Sequence, residues 1–155
     1  MYHKYLSPLG VITYGVEHDA LISLTIDDLD VKEENSKLTQ DIDQKLELYF
    51  KNELYHFDIP LFFEKGTKFQ KQVWNALLKI PYGESKSYQD IANQIDNPKA
   101  VRAVGQACKR NPIGIVVPCH RVIGKDGSLT GYSGKNYTHI KKILLDHEKK
   151  NEENA

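Results

Sequence analysis

Ser87-Tyr88-Gln89-Asp90-Ile91-Ala92-Asn93-Gln94-Ile95-Asp96-Asn97-Pro98-Lys99-Ala100-Val101-Arg102-Ala103-Val104-Gly105-Gln106-Ala107-Cys108-Lys109 is the stretch that decides the fold. Ser87 followed by Asp90 has the form of a helix start, with Ile91 and Ile95 as its apolar positions. Asn97-Pro98 predicts a second start, an N-cap followed by proline at the first helical position, with a helix running to about Lys109. Two short helices joined by a tight turn make a helix-turn-helix candidate. Lys99, Arg102, Gln106 and Lys109 fall on one face of the second helix, and Val101, Val104 and Cys108 on another. Ala100, Ala103, Gly105 and Ala107 are small, so a neighbour can approach closely. A basic, amide-bearing face suits a nucleic-acid groove, the alternative being an ordinary solvated surface.

Working outward, Thr67 and Gln70 form a capping box ahead of a stripe of Phe69, Val73, Leu77 and Ile80, which Pro81-Tyr82-Gly83 ends. Trp74 and Cys108 read as packing residues. The earlier chain has another character. Gly10–Val16 and Leu21–Ile26 alternate like strands, with Glu17-His18-Asp19-Ala20 as a hairpin turn. An acidic loop follows from Asp27 to Asn35, then Leu38, Ile42, Leu46 and Phe50 at helical spacing. Asp58–Phe62 is a candidate edge strand, because Pro60 cannot donate to a ladder. The expected fold class is α+β: a small α/β domain at residues 1–65, a mainly helical helix-turn-helix domain at 66–150, and a disordered tail at 151–155.

The 155 residues carry a net charge of zero, which hides an asymmetry. Residues 1–66 sum to −7, residues 67–150 to +9, and the last five to −2. A basic half suggests a polyanionic partner, although basic residues also simply solvate surfaces. No apolar run spans a membrane, and the N-terminus lacks the apolar stretch of a signal peptide. Cys108 and Cys119 are too few for a disulfide framework and fit a reducing, cytoplasmic compartment. His3, His18, His56 and His139 show no ligand spacing with either cysteine, so no metal and no cofactor are expected.

The chemistry concentrates in Asn111-Pro112-Ile113-Gly114-Ile115-Val116-Val117-Pro118-Cys119-His120-Arg121-Val122-Ile123-Gly124, an apolar run delivering Pro-Cys-His-Arg. Cysteine reacts as the thiolate, which a nearby base or cation favours, and His120 and Arg121 offer both. Cys119 is therefore expected to have a pKa below that of a free thiol, about 8.5, with burial opposing. Neighbours on a helix do not face each other, so a water bridge suits Cys119 and His120 better than direct contact.

Residues 66–148 closely resemble the O6-alkylguanine-DNA alkyltransferases, also called methylated-DNA–protein-cysteine methyltransferases. The matching residues are Gly66-Thr67-Lys68-Phe69-Gln70, Val73-Trp74, Ile80-Pro81-Tyr82-Gly83-Glu84, Ser87-Tyr88, Arg102-Ala103-Val104-Gly105, Asn111-Pro112-Ile113, Pro118 to Gly124, Gly131-Tyr132-Ser133-Gly134 and Leu144-Leu145. The resemblance implies that Cys119 accepts an alkyl group once, with His120 as its base through water and Glu148 orienting His120. It implies that Tyr88 protonates the leaving guanine, Ser133 contacts its O6 side, and Asn111 braces the turn. Arg102 would fill the space of a flipped-out nucleotide. Gln89, Asn97 and Lys125 match DNA-contacting positions, and Pro118 and Tyr132 substrate-binding ones. The implied partner is double-stranded DNA carrying O6-alkylguanine, bound by a monomer. The implied folds are ribonuclease-H-like for the first domain and winged-helix-like for the second. The chain departs from the family at Asp96 and at Lys135, where glycine is usual, and in a longer stretch after Gly134. Two other functions compete with this one: a non-catalytic alkyl-lesion-binding protein, which the presence of Cys119 opposes, and a cysteine hydrolase using Cys119 and a histidine, which leaves the basic half unexplained.

Overall fold

The computed structural model describes residues 1–129 and 138–153, with side chains as far as Lys149. It is a mixed helix-and-sheet protein of two compact units. Met1–Glu64 with Pro112–Gly114 form the first, and Lys65–Asn111 with Ile115–Ala155 the second.

The first unit is an antiparallel sheet of β1 (Tyr2–Ser7), β2 (Gly10–Glu17) and β3 (Ala20–Thr25) in that order, with α1 (Lys37–Phe50). His18 and Asp19 both have positive φ, 52° and 60°, the turn geometry that matches the twist of a two-residue hairpin. β1 was not among the expected strands. Leu6 is 77% exposed, so β1 lacks the alternation that reveals a half-buried strand. Its register with β2 places Tyr5 opposite Ile12 and His3 opposite Tyr14. Asp58–Phe62 reaches β3 only through a bridge between Leu61 and Leu21, and Ile113 makes a similar bridge to Leu24. These two short contacts cover an edge that would otherwise expose unpaired backbone groups. Ser36 and Thr39 cap α1 reciprocally, and Thr39, Ile42, Leu46 and Tyr49 form its buried face. The Tyr14 hydroxyl donates to Asp43 at 2.7 Å and lies 2.9 Å from the Thr39 carbonyl, tying β2 to α1.

In the second unit α2 (Lys68–Leu77) opens on the Thr67–Gln70 capping box and buries Val73, Trp74, Ala76 and Leu77. Gly66 has φ +122°, and a Cβ there would lie 2.6 Å from the Trp74 ring, so this position needs glycine. Trp74 Nε1 donates to the Ala107 carbonyl at 2.9 Å, a packing role that joins α2 to α4 (Val101–Lys109). β4 (Lys86–Ser87) leads into α3 (Tyr88–Gln94), where Ser87 and Asp90 form the second capping box. α3 ends with Asp96 at φ +59°, the Asn97 N–H on the Ala92 carbonyl and the Asp96 N–H on Asn93. That pair of bonds satisfies the last carbonyls of the helix.

α4 begins at Val101, not at Pro98 as the Asn97-Pro98 pair predicts. Asn97 instead heads a turn closed by the Ala100 N–H on the Asn97 carbonyl, and proline suits the second position of such a turn equally well. β5 (Val122–Ile123) pairs in parallel with β4. α5 (Thr138–Glu153) buries Ile140 and Leu144 and enters the residues expected to form a tail. Tyr132, Ser133 and Lys135 lie outside the described residues. Among the described residues no helix is long and apolar enough to cross a membrane.

Candidate active site

The second unit positions Cys119 by a constrained turn. The chain from Asn111 passes Ile115, which holds φ +67° although it is β-branched and buried. That conformation is unfavourable for isoleucine and persists only where surroundings enforce it. Asn111 supplies part of the enforcement: its Nδ2 donates to the Val117 carbonyl at 2.8 Å, and its side chain hydrogen-bonds the Cys119 thiol. Cys119–Arg121 then form a single 3-10 turn that β5 continues. Pro118, Cys119, His120 and Arg121 are all buried.

Glu148, from α5, organises the charges. It is 1% exposed and meets His120 Nε2 at 2.6 Å, Arg121 Nε at 2.8 Å and the second Arg121 nitrogen at 3.2 Å. The Gly83 N–H approaches the same carboxylate at 3.4 Å, and Arg121 donates a further bond of 2.7 Å to the Ile80 carbonyl. Burial alone would raise the Glu148 pKa, but His120 and Arg121 outweigh it and hold the carboxyl well below the usual range. His120 is completely buried, and burial lowers its pKa despite the pull of Glu148. A neutral ring facing a carboxylate donates from Nε2, which leaves the Nδ1 lone pair as the basic position. Nδ1 is buried and has no hydrogen-bond partner among the described residues.

Two expectations about the thiol are corrected. Cys119 is 3% exposed, and its pKa is pushed up to about 11, not below that of a free cysteine. Burial dominates; the Asn111 bond and the Lys141 charge oppose it without winning. Arg121 is not the cation that favours the thiolate, because Glu148 and the Ile80 carbonyl take its guanidinium. Lys141 of α5 fills that role. It is 1% exposed, within electrostatic reach of Cys119 and His120, and donates to Tyr88 Oη at 3.2 Å. Its ammonium also lies 5.5 Å from the centre of the Tyr88 ring.

The structure brings Cys119, His120, Glu148 and Asn111 together, and joins Tyr88 to them through Lys141. Other expected site residues lie on the surface of the second unit. Arg102, Asn97 and Lys125 are exposed, and Gln89 is partly so. Gln89 Nε2 lies 3.0 Å from both Asn93 Oδ1 and the Pro98 carbonyl, which braces the turn between α3 and α4. Cys108 is a buried core thiol whose pKa burial pushes strongly up. Among the described residues no group of three or more His, Cys, Asp or Glu could hold a metal ion.

Residues 68–150 match the pattern of the 6-O-methylguanine DNA methyltransferase DNA-binding domain. The chain belongs to this methyltransferase family. It is 47% identical over 153 residues to the constitutive methylated-DNA–protein-cysteine methyltransferase of Bacillus subtilis (strain 168), which covers 92% of each chain. It is also 47% identical over 152 residues to the methylated-DNA–protein-cysteine methyltransferase of Methanosarcina acetivorans, covering 93% of this chain and 95% of that one. The crystal structure of Mycobacterium tuberculosis OGT in complex with DNA matches with a TM-score of 0.88 at 42% identity, over 97% of this chain and 93% of that one.

Lys141, Ile80 and Gly83 are the parts of this candidate site that the sequence did not assign. A signal for Lys141 exists: it lies three residues before Leu144 and seven before Glu148, so the three share a helix face. A lysine on the buried face of a helix calls for a polar partner.

Proposed function

We propose that this protein repairs DNA by transferring the alkyl group of O6-alkylguanine to Sγ of Cys119, once per molecule. The buried His120–Glu148 pair, whose Nδ1 has no partner among the described residues, beside a cysteine held by Asn111, carries this reading. The resting thiol is protonated. Its proton passes through a bridging water to His120 Nδ1 as Sγ attacks the alkyl carbon. A new S–C bond forms, the C–O6 bond breaks, and the electron pair leaves on the guanine. Tyr88 returns a proton to that guanine, and the neighbouring Lys141 ammonium stabilises the developing phenolate. Glu148 remains ionised and stabilises the imidazolium. The thioether is inert, and no group in this arrangement removes it.

The base is stacked in a duplex, so α4 must hold it extruded, with Arg102 filling its place. Gln89, Asn97 and Lys125 then contact the backbone, and Pro118, Tyr132 and Ser133 line the base pocket. In this reading the first unit is ribonuclease-H-like, the second is winged-helix-like, and the protein works as a cytoplasmic monomer; O4-alkylthymine is a candidate second substrate. The test is intact-mass measurement after incubation with an O6-methylguanine duplex. One methyl should appear per chain, on Cys119 and not Cys108, and Cys119→Ser should gain none while still binding DNA. Repeated turnover on excess substrate refutes the proposal. Binding without any transfer identifies a lesion-binding protein instead.

A further inference from the structure

We infer that Asp96 sets how tightly this protein holds undamaged DNA, by placing an exposed negative charge in the turn between α3 and α4. The inference rests on the helix-turn-helix surface proposed above. Asp96 sits at φ +59°, just past the end of α3, where the two closing hydrogen bonds require a left-handed residue. Glycine takes that conformation without strain and asparagine tolerates it, so backbone geometry alone does not favour aspartate. Side-chain bonding does not favour it either. Asp96 is exposed, and its carboxylate has no hydrogen bond or ion pair among the described residues. Asp90, the other acid of this segment, is engaged: its Oδ2 accepts from the Ser87 N–H.

The location gives the charge its consequence. Asp96 is bonded to Asn97 and precedes Lys99 and Arg102, all exposed and all on the proposed contact surface. A carboxylate there lies within about one Debye length, roughly 8 Å at physiological salt, of any phosphate that Asn97 meets. Through water, a single such repulsion changes affinity by about twofold, and two neighbouring phosphates by a few-fold. Non-specific binding is governed by phosphate contacts, whereas capture of a lesion adds the interactions of the extruded base. A small repulsion in the turn therefore loosens the grip on intact duplex, where the protein spends its search.

The test compares wild type, Asp96→Asn and Asp96→Glu as full chains on an undamaged duplex, by fluorescence anisotropy over a salt series. Asparagine keeps the size and the left-handed tolerance and deletes the charge. Asp96→Asn should bind about two- to fivefold tighter at low salt, with the gain fading as salt rises. Asp96→Glu, which keeps the charge, should stay near wild type. Equal affinity of wild type and Asp96→Asn at every salt overturns the inference, as does tighter binding by both variants. A wild type whose duplex binding does not respond to salt overturns the helix-turn-helix reading itself.

Discussion

In the proposed reaction Cys119 has a nucleophile's task in surroundings that disfavour its charge. At a pKa of about 11 the thiol is almost wholly protonated at neutral pH, so reactivity has to come from a base that acts as the substrate does. Iodoacetamide, which makes no use of the guanine pocket, should therefore modify folded Cys119 slowly at pH 7 to 8. The rate should climb as pH approaches 11, while in urea the same thiol should titrate near 8.5. A fast, pH-independent reaction of the folded protein would contradict the burial argument. Lys141→Met tests the charge that opposes burial. Losing the ammonium should push the thiol further up and slow modification several-fold at pH 9 to 10; an unchanged profile would remove Lys141 from the site. The Pro-Cys-His-Arg motif made the proposed nucleophile and base legible in sequence. The source of positive charge was not, because adjacency in the chain suggested Arg121 and only the fold shows where its guanidinium goes.

At the scale of elements, the joint between α5 and the 3-10 turn is one carboxylate shared by two basic residues. Both sides are buried, so removing one partner strands the other in a low-dielectric interior. Arg121→Met should cost about 3–5 kcal/mol, read from denaturant melts of the full chain. The double change Arg121→Met with Glu148→Leu should recover much of that loss while abolishing transfer. A single-variant cost below about 1 kcal/mol would place the pair among solvated surface bridges. Local rules served the sequence reading best where the signal is local. The Thr67–Gln70 and Ser87–Asp90 boxes mark the starts of α2 and α3 as read. Asn97-Pro98 misled because the same two residues suit a turn and a helix start. The choice between them falls to Asp96, whose left-handed backbone bends the chain before α4 can begin.

Across the whole molecule, sequence shows most clearly what depends on composition and period, namely the acidic and basic parts and the centres of the apolar stripes, Ile42 and Leu46 in α1 and Val73 and Leu77 in α2; Thr39 and Tyr49 complete the buried face of α1 where Leu38 and Phe50 were expected. It shows least what depends on distant partners. β1 has no period of its own and is defined by its pairing with β2, and Glu148 acquires its role only by reaching His120 across 27 intervening residues. That long-range pair also governs how stability responds to pH. Glu148 has a folded pKa below its unfolded value, so its contribution is complete above about pH 4.5 and is lost as pH falls further. His120 is likewise depressed, by burial, so the unfolded chain takes up a proton near pH 6.5 that the folded chain refuses. Both groups act in one direction: stability should fall as pH drops from about 7, first through the histidine and then through the carboxylate. Urea midpoints measured from pH 7.5 to pH 4 should decline for wild type in that order. Glu148→Gln should start lower, because Arg121 loses its partner, and should lose the part of the slope below about pH 4.5. A wild-type midpoint that is flat between pH 7 and pH 5 would mean that His120 is already protonated in the fold, and Nδ1 could not then take the thiol proton.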